Sequence, residues 1–222
     1  MELIKVKCGW LFFLILFSQP ASALFIKKLN IDLQPRKKVQ YEEIVNLTSG
    51  RRVYTVSMVQ VSIPRRSGME TVINDGALLY SPQKLVLNSG EKGGFKFFYE
   101  GKIDKKERYF RVKFIEMPIE ADIIQSGKRS LLYDYRVAVE AIMIVRPAEE
   151  DFRYSYTKSE IKNTGNTYFK YMSSRGCSNS YAHSAFLAPG ESLKLEDEYA
   201  ESNRVIIYHK KIISLSNCGK SF

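Results

Sequence analysis

Histidine and cysteine are scarce in this chain, at 2 and 3 of 222 residues, and there is a single tryptophan. With so few, no H-E-x-x-H or paired C-x-x-C pattern forms, so no metal site is expected. The G-x-S-x-G nucleophile elbow is also missing. Glycine-rich phosphate loops are absent: GEKGG (Gly90–Gly94) lies between two strand-like runs and does not open a helix. The adjacent carboxylates Glu149 and Glu150 fall in an acidic connecting run, where solvation accounts for them. No catalytic residue, metal or cofactor is therefore expected, and the chain reads as a non-enzyme. Amphipathic helices of useful length are missing too.

Long apolar runs are equally rare. GWLFFLILF (Gly9–Phe17) is far short of the about 20 residues a membrane helix needs. It follows Lys5 and Lys7 and precedes Ala21-Ser22-Ala23, an A-x-A cleavage site. Residues 1–23 read as a secretory signal peptide, with a mature protein starting at Leu24 outside the cytoplasm and not inserted in a membrane. Two cysteines then remain, Cys177 and Cys218. An oxidising compartment leaves two readings of them, one disulfide or two buried thiols, and the disulfide is the simpler.

What the chain has in quantity is positive charge and β-type residues. The net charge is +10, from 34 Lys+Arg and 24 Asp+Glu. Most of the excess lies before Pro147. Nucleic acid is a poor partner for an exported protein; a polyanion, a membrane surface or a partner's carboxylates fit better. Runs rich in Val, Ile, Tyr, Phe and Thr recur between turn signals such as Asn74-Asp75-Gly76, Asn88-Ser89-Gly90 and Ala188-Pro189-Gly190. RRVYTVSMVQVSIP reads as one strand with Val53, Thr55, Val59, Val61 and Ile63 on one face. RVIIYHKKIISL reads as another. The fold class is all-β: two immunoglobulin-like β-sandwich domains joined by a short linker. Their expected bounds are 24–147 and 148–222, divided at Arg146-Pro147 and the acidic run after it. No internal repeat is evident.

One stretch exceeds what a sandwich requires. In LLYDYRVAVEAIMIVRP (Leu131–Pro147) every odd position to Val145 is apolar, while the even positions from Asp134 run Asp134, Arg136, Ala138, Glu140 before turning apolar at Ile142 and Ile144. Alternation over 15 residues would run roughly 50 Å, against a usual strand of about 5–6 residues. The apolar even positions suggest that Ala141, Met143 and Val145 are buried at home, on a strand covered on both faces.

Signal segment, two sandwiches and a long alternating strand ending in Arg-Pro resemble a periplasmic pilus chaperone of the chaperone–usher pathway. The alpha-type branch that includes the common-pilus chaperones is the nearest. YSPQKLVLNSGEKG, FKFFYEGKIDKKERYFRVKF, IKNTGNTYFKYMSSRGC and LAPGES carry the resemblance. It implies that the long strand fills the groove of a fimbrial (pilin) subunit that lacks its own last strand, and that the subunit is then passed to an outer-membrane usher. Counted back from Pro147, the family's donor side chains fall on Tyr133, Tyr135 and Val137, with Leu131 and Val139 extending the row. The arginine before the proline implies an interdomain salt bridge between Arg146 and Glu107. The lysine that grips the subunit's carboxylate in the better-known branch falls on Ile142. Its arginine has no clear counterpart among Lys27, Lys28, Arg36, Lys37 and Lys38, and Arg111 is the substitute. A self-capping dimer would protect the idle strand. The rival readings are a structural or adhesive pilus component and an exported two-domain binding protein.

Overall fold

The computed structural model describes residues 24–34, 37, 39–119, 136–178, 180–195, 202–215 and 218. The described residues hold seventeen strands and no helix. The expected signal peptide lies outside them, as do Leu131, Tyr133 and Tyr135.

The first ten strands are β1 (Phe25–Ile26), β2 (Asn30–Leu33), β3 (Val39–Val45), β4 (Arg52–Val61), β5 (Glu70–Thr71), β6 (Leu78–Ser81), β7 (Lys84–Leu87), β8 (Lys92–Tyr99), β9 (Arg108–Pro118) and β10 (Val137–Val145). They form two facing sheets. One runs β1-β3-β8-β6, the other β2-β10-β9-β4-β5, with β7 also paired to β4. Alternation builds the space between them: Phe110, Val112 and Phe114 point inward from β9 and meet Phe95 and Phe97 of β8. The rings of Phe97 and Phe114 stand edge-to-face with centroids 6.1 Å apart, a favoured aromatic geometry.

The remaining strands are β11 (Tyr154–Tyr156), β12 (Glu160–Asn163), β13 (Phe169–Ser174), β14 (Tyr181–Leu187), β15 (Ser192–Lys194), β16 (Arg204–Tyr208) and β17 (Lys211–Ser214). Their sheets run β11-β12-β15 and β14-β13-β16-β17, around Ile161, Phe169, Tyr171, Leu187 and Ile206. Among the described residues no strand pairing joins the first ten strands to the last seven. The fold is all-β, two immunoglobulin-like sandwiches.

Three expectations change. β4 does carry Val59 and Val61 on one face, continued by Ile63 beyond its end, but that face packs against Tyr109, Ile144 and Ala188 at the seam between the sandwiches. The home core takes the other face, Tyr54, Val56 and Met58. RVIIYHKKIISL is two strands, because the chain turns at His209, whose φ is +52°, and β16 pairs back onto β17.

A structural repeat is also present. Asn46 and Asn163 are both fully buried, and each donates its side-chain amide to the carbonyl of a leucine, Leu87 at 3.1 Å and Leu187 at 2.9 Å. Each leucine opens a tight turn, LNSGE or LAPGE, whose glycine has positive φ (Gly90 +74°, Gly190 +83°) and whose glutamate accepts the N–H three residues back. A side chain at either glycine would be strained in that left-handed conformation. The same corner thus closes both sandwiches.

Candidate functional site: the seam and the open edge of the long strand

Arg146 is the largest side chain buried at the seam, with 2% of its surface exposed. It leaves the end of β10, and Pro147 then turns the chain into the second sandwich. Its Nη1 donates to Glu107 Oε2 at 3.0 Å and to Thr167 Oγ1 at 2.8 Å, while Nε donates to Asp32 Oδ1 at 2.9 Å. Tyr168 lies under the guanidinium, 4.5 Å from ring centroid to Cζ. The structure therefore brings Glu107 and Arg146 together.

Glu107 belongs to the first sandwich but takes bonds from the second: Thr167 Oγ1 donates to Oε2 and the Tyr168 N–H to Oε1, both at 2.8 Å. Tyr109 also donates to it. Burial pushes the Glu107 carboxyl above its ordinary pKa, against the pull of Tyr109, Arg146 and Thr167. Burial works against the charge on Arg146, yet Asp32 and Glu107 outweigh it and raise that pKa. Asn166 adds a second clasp, donating to the carbonyls of Lys105 at 3.1 Å and Glu149 at 2.9 Å. Asp32, Thr167 and Tyr168 had no individual signal in the sequence, because their roles depend on the two sandwiches meeting.

β10 is asymmetric along its length. Antiparallel pairing to β9 runs through all nine residues, Val137 opposite Glu116 to Val145 opposite Arg108. On the other side β2 pairs in parallel only with Ile142–Val145. Val137–Ala141 thus has an unpaired edge among the described residues. Ala141, Met143 and Val145 are buried in the first core, and Ile144 is buried at the seam, so this half is covered on both faces. Val137 and Val139 are half-buried against the same core, while Ala138 and Glu140 are exposed.

A cleft of about 640 Å³ opens beside that edge, lined by Leu29, Arg66, Lys113, Ala138, Ile142 and Phe186 among others. Arg111 also lines it, directly opposite Ile142 in the β9–β10 ladder. Its guanidinium is engaged: Nη1 pairs with Glu70, and Nη2 donates to the Arg65 carbonyl at 3.0 Å. Lys113 Nζ stands 3.6 Å from Glu140, and Arg65 pairs with Glu191 of the second sandwich. Lys27, near the missing first-strand arginine, is paired with Glu43 at 2.8 Å. Arg66 is exposed and has no side-chain partner among the described residues.

Cys177 and Cys218 form a disulfide with Cα atoms 5.4 Å apart, fastening the β13–β14 connection to the C-terminal end of the chain.

Similarity to known proteins fits this geometry. No family model matches the chain. A protein described as "Probable fimbrial chaperone EcpE" from Escherichia coli (strain K12) is 30% identical over 200 residues, spanning 88% of this chain and 85% of the relative. The chain belongs to the fimbrial chaperones. "Probable fimbrial chaperone EcpB" from Escherichia coli O1:K1 / APEC resembles this fimbrial chaperone at 24% identity over 190 residues, 80% of this chain and 84% of the relative. Among solved structures, a chain of the CsuC–CsuE chaperone–tip adhesion subunit pre-assembly complex of Acinetobacter baumannii superposes with TM-score 0.61. It is 11% identical, and the match covers 87% of this chain and 97% of that one.

Proposed function

We propose that this fimbrial chaperone acts in the periplasm by lending β10 to fimbrial subunits that lack a strand. The observation that carries this reading is the unpaired edge of Val137–Ala141, which lies beside an open cleft on a strand whose apolar alternation continues upstream to Leu131. An open edge offers main-chain donors and acceptors to an extended partner, and alternate side chains supply selectivity. Leu131, Tyr133, Tyr135, Val137 and Val139 are the donor row, each contributing roughly 1.5–3 kcal/mol when fully buried in a subunit. No bond is made or broken, so the role is non-enzymatic and needs no cofactor.

Residues 1–23 direct export and are removed; 24–147 and 148–222 fold as the two domains, held at a fixed angle by Arg146, Glu107 and Asn166. Arg111 anchors the subunit's terminal carboxylate through two parallel hydrogen bonds, with Glu70 acting as the stand-in carboxylate until the subunit arrives. The bound subunit is handed to an outer-membrane usher.

Co-expression with a fimbrial subunit tests the reading. The parent co-purifies with the subunit one-to-one from the periplasm. The Tyr135→Glu variant keeps the parental melting temperature and loses the subunit. Parental capture by that variant would contradict the donor row.

A further inference from the structure

Glu116 is a buried carboxylate that the proposed subunit binding does not use, although it pairs in the ladder with Val137. It continues the inward row of Phe110, Val112 and Phe114 on β9, is 1% exposed, and stands opposite Tyr54 of β4 and Val137 of β10. Neither oxygen has a hydrogen bond of ordinary geometry among the described residues. The cation beside it is Arg52, with Nε 3.6 Å from Oε1, and that same nitrogen donates to Thr48 at 3.1 Å. A carboxylate this enclosed is stable when it is both paired and hydrogen-bonded. The other polar groups against it are the Tyr54 hydroxyl and the main-chain nitrogen of Leu24.

Leu24 is itself unusual. Its side chain is 7% exposed and belongs to the first core with Tyr54 and Val56, and the next two residues pair with β3. It is also the residue that follows Ala21-Ser22-Ala23.

We propose that cleavage between Ala23 and Leu24 creates a second counter-ion for Glu116, with the Leu24 α-ammonium closing a buried, hydrogen-bonded ion pair on the carboxylate. Hydrolysis adds water across the peptide bond, leaving a carboxylate on Ala23 and, at neutral pH, –NH3⁺ on Leu24. One neutral N–H donor becomes three donors carrying a full charge, beside a carboxylate whose cation, Arg52, stands at 3.6 Å and makes no hydrogen bond to it. Processing is therefore part of the fold's electrostatics, and the starting residue is specified to the position. The inference depends on export only through the cleavage point.

The test compares protein purified from the periplasm with a form carrying Gly-Ser before Leu24, each in the parental and Glu116→Gln backgrounds. Intact mass should give a start at Leu24. In urea at pH 7 the extension should lower the folded-to-unfolded ratio at least tenfold in the parent and less than about twofold in Glu116→Gln. A pH series needs no variant. Beside Glu116, Arg52 and Tyr54, an α-amine paired in the fold has its pKa raised above the usual ~7.7–8.0. Its stabilisation is therefore complete below that range and lost as pH rises through the folded value. The processed form should lose its advantage over the extended form across that window. An equal cost of extension in both backgrounds, a pH-independent difference, or a start elsewhere than Leu24 overturns the inference. Subunit capture in the same preparation reads the chaperone role separately.

Discussion

Arg146 Nη1 lies 3.0 Å from Glu107 Oε2, and both side chains are almost wholly withdrawn from solvent, at 1% and 0% exposure. Because Glu107 also accepts the Tyr168 N–H, the pair ties the end of β10 to the second sandwich.

Removing one member of that pair leaves the other charged and buried, which costs about 3–5 kcal/mol. Glu107→Ala should therefore lower the unfolding free energy by about that amount, measured by urea denaturation. A double exchange of Glu107 and Arg146 for apolar residues should cost less than either single change, and a larger cost would argue against the pair as the origin of the effect.

The disulfide has a separate signature. Cys177 and Cys218 are 41 residues apart, and the chain-entropy relation assigns such a loop about 4 kcal/mol. Reductant should lower the melting temperature of the parent and leave that of Cys177→Ser unchanged.

The two equivalent corners should respond alike. Asn46 donates to the carbonyls of Gly50, Leu87 and Asn88 at 2.8, 3.1 and 3.0 Å, and Asn163 to those of Thr167 and Leu187 at 2.8 and 2.9 Å. Truncation strands buried carbonyls, at about 1–3 kcal/mol each. Asn46→Ala and Asn163→Ala should each destabilise by at least about 2 kcal/mol in urea. A neutral result at either site would detach that corner from the fold's stability.

Acid stability should depend on Asp104. Arg108 donates to both its oxygens, at 2.8 and 2.7 Å, and together with the Lys106 N–H holds the carboxyl well below the usual range. A carboxyl depressed in the folded state stabilises above its unfolded pKa of about 3.9, and that contribution fades as pH falls through the folded value. Asp104→Asn should lower the urea midpoint at pH 7, by a modest amount because the carboxylate is partly exposed, and the gap to the parent should narrow steadily as pH falls below about 4.

Arg111 and Glu70 should behave as competitors. Arg111→Met weakens subunit capture by roughly tenfold, the cost of a charge-assisted hydrogen bond. Glu70→Gln frees the guanidinium and strengthens capture. Parallel losses in both variants, read by titration with purified subunit, would move the carboxylate anchor away from Arg111.

Much of this was legible in the sequence, through the period of 2. Alternation marked β10, and the apolar Ile142 and Ile144 marked the half of it covered on both faces. Turn residues marked Gly90 and Gly190, where the backbone does require positive φ. Alternation does not say which strands pair. It gave no hint that β2 runs parallel to β10 and begins only opposite Ile142, and that late start leaves the edge before it open. Nor does a charge announce its partner: Glu70 and Arg111 are 41 residues apart, and Glu116 sits in an apolar row that only the packed sandwich makes dry. The repeated corner was hidden because LNSGE and LAPGE share only Leu, Gly and Glu, the residues that the turn geometry uses.

Hydrogen exchange at the peptide spanning residues 136–142 tests the central claim most directly. In the free chaperone the edge of Val137–Ala141 has no strand beside it among the described residues, so part of this peptide should exchange quickly. On binding a subunit its exchange should slow by at least tenfold, while the peptide covering Ile142–Val145, already paired on both sides, should change little. Unchanged exchange over 136–142 in a saturated complex would contradict strand donation by β10.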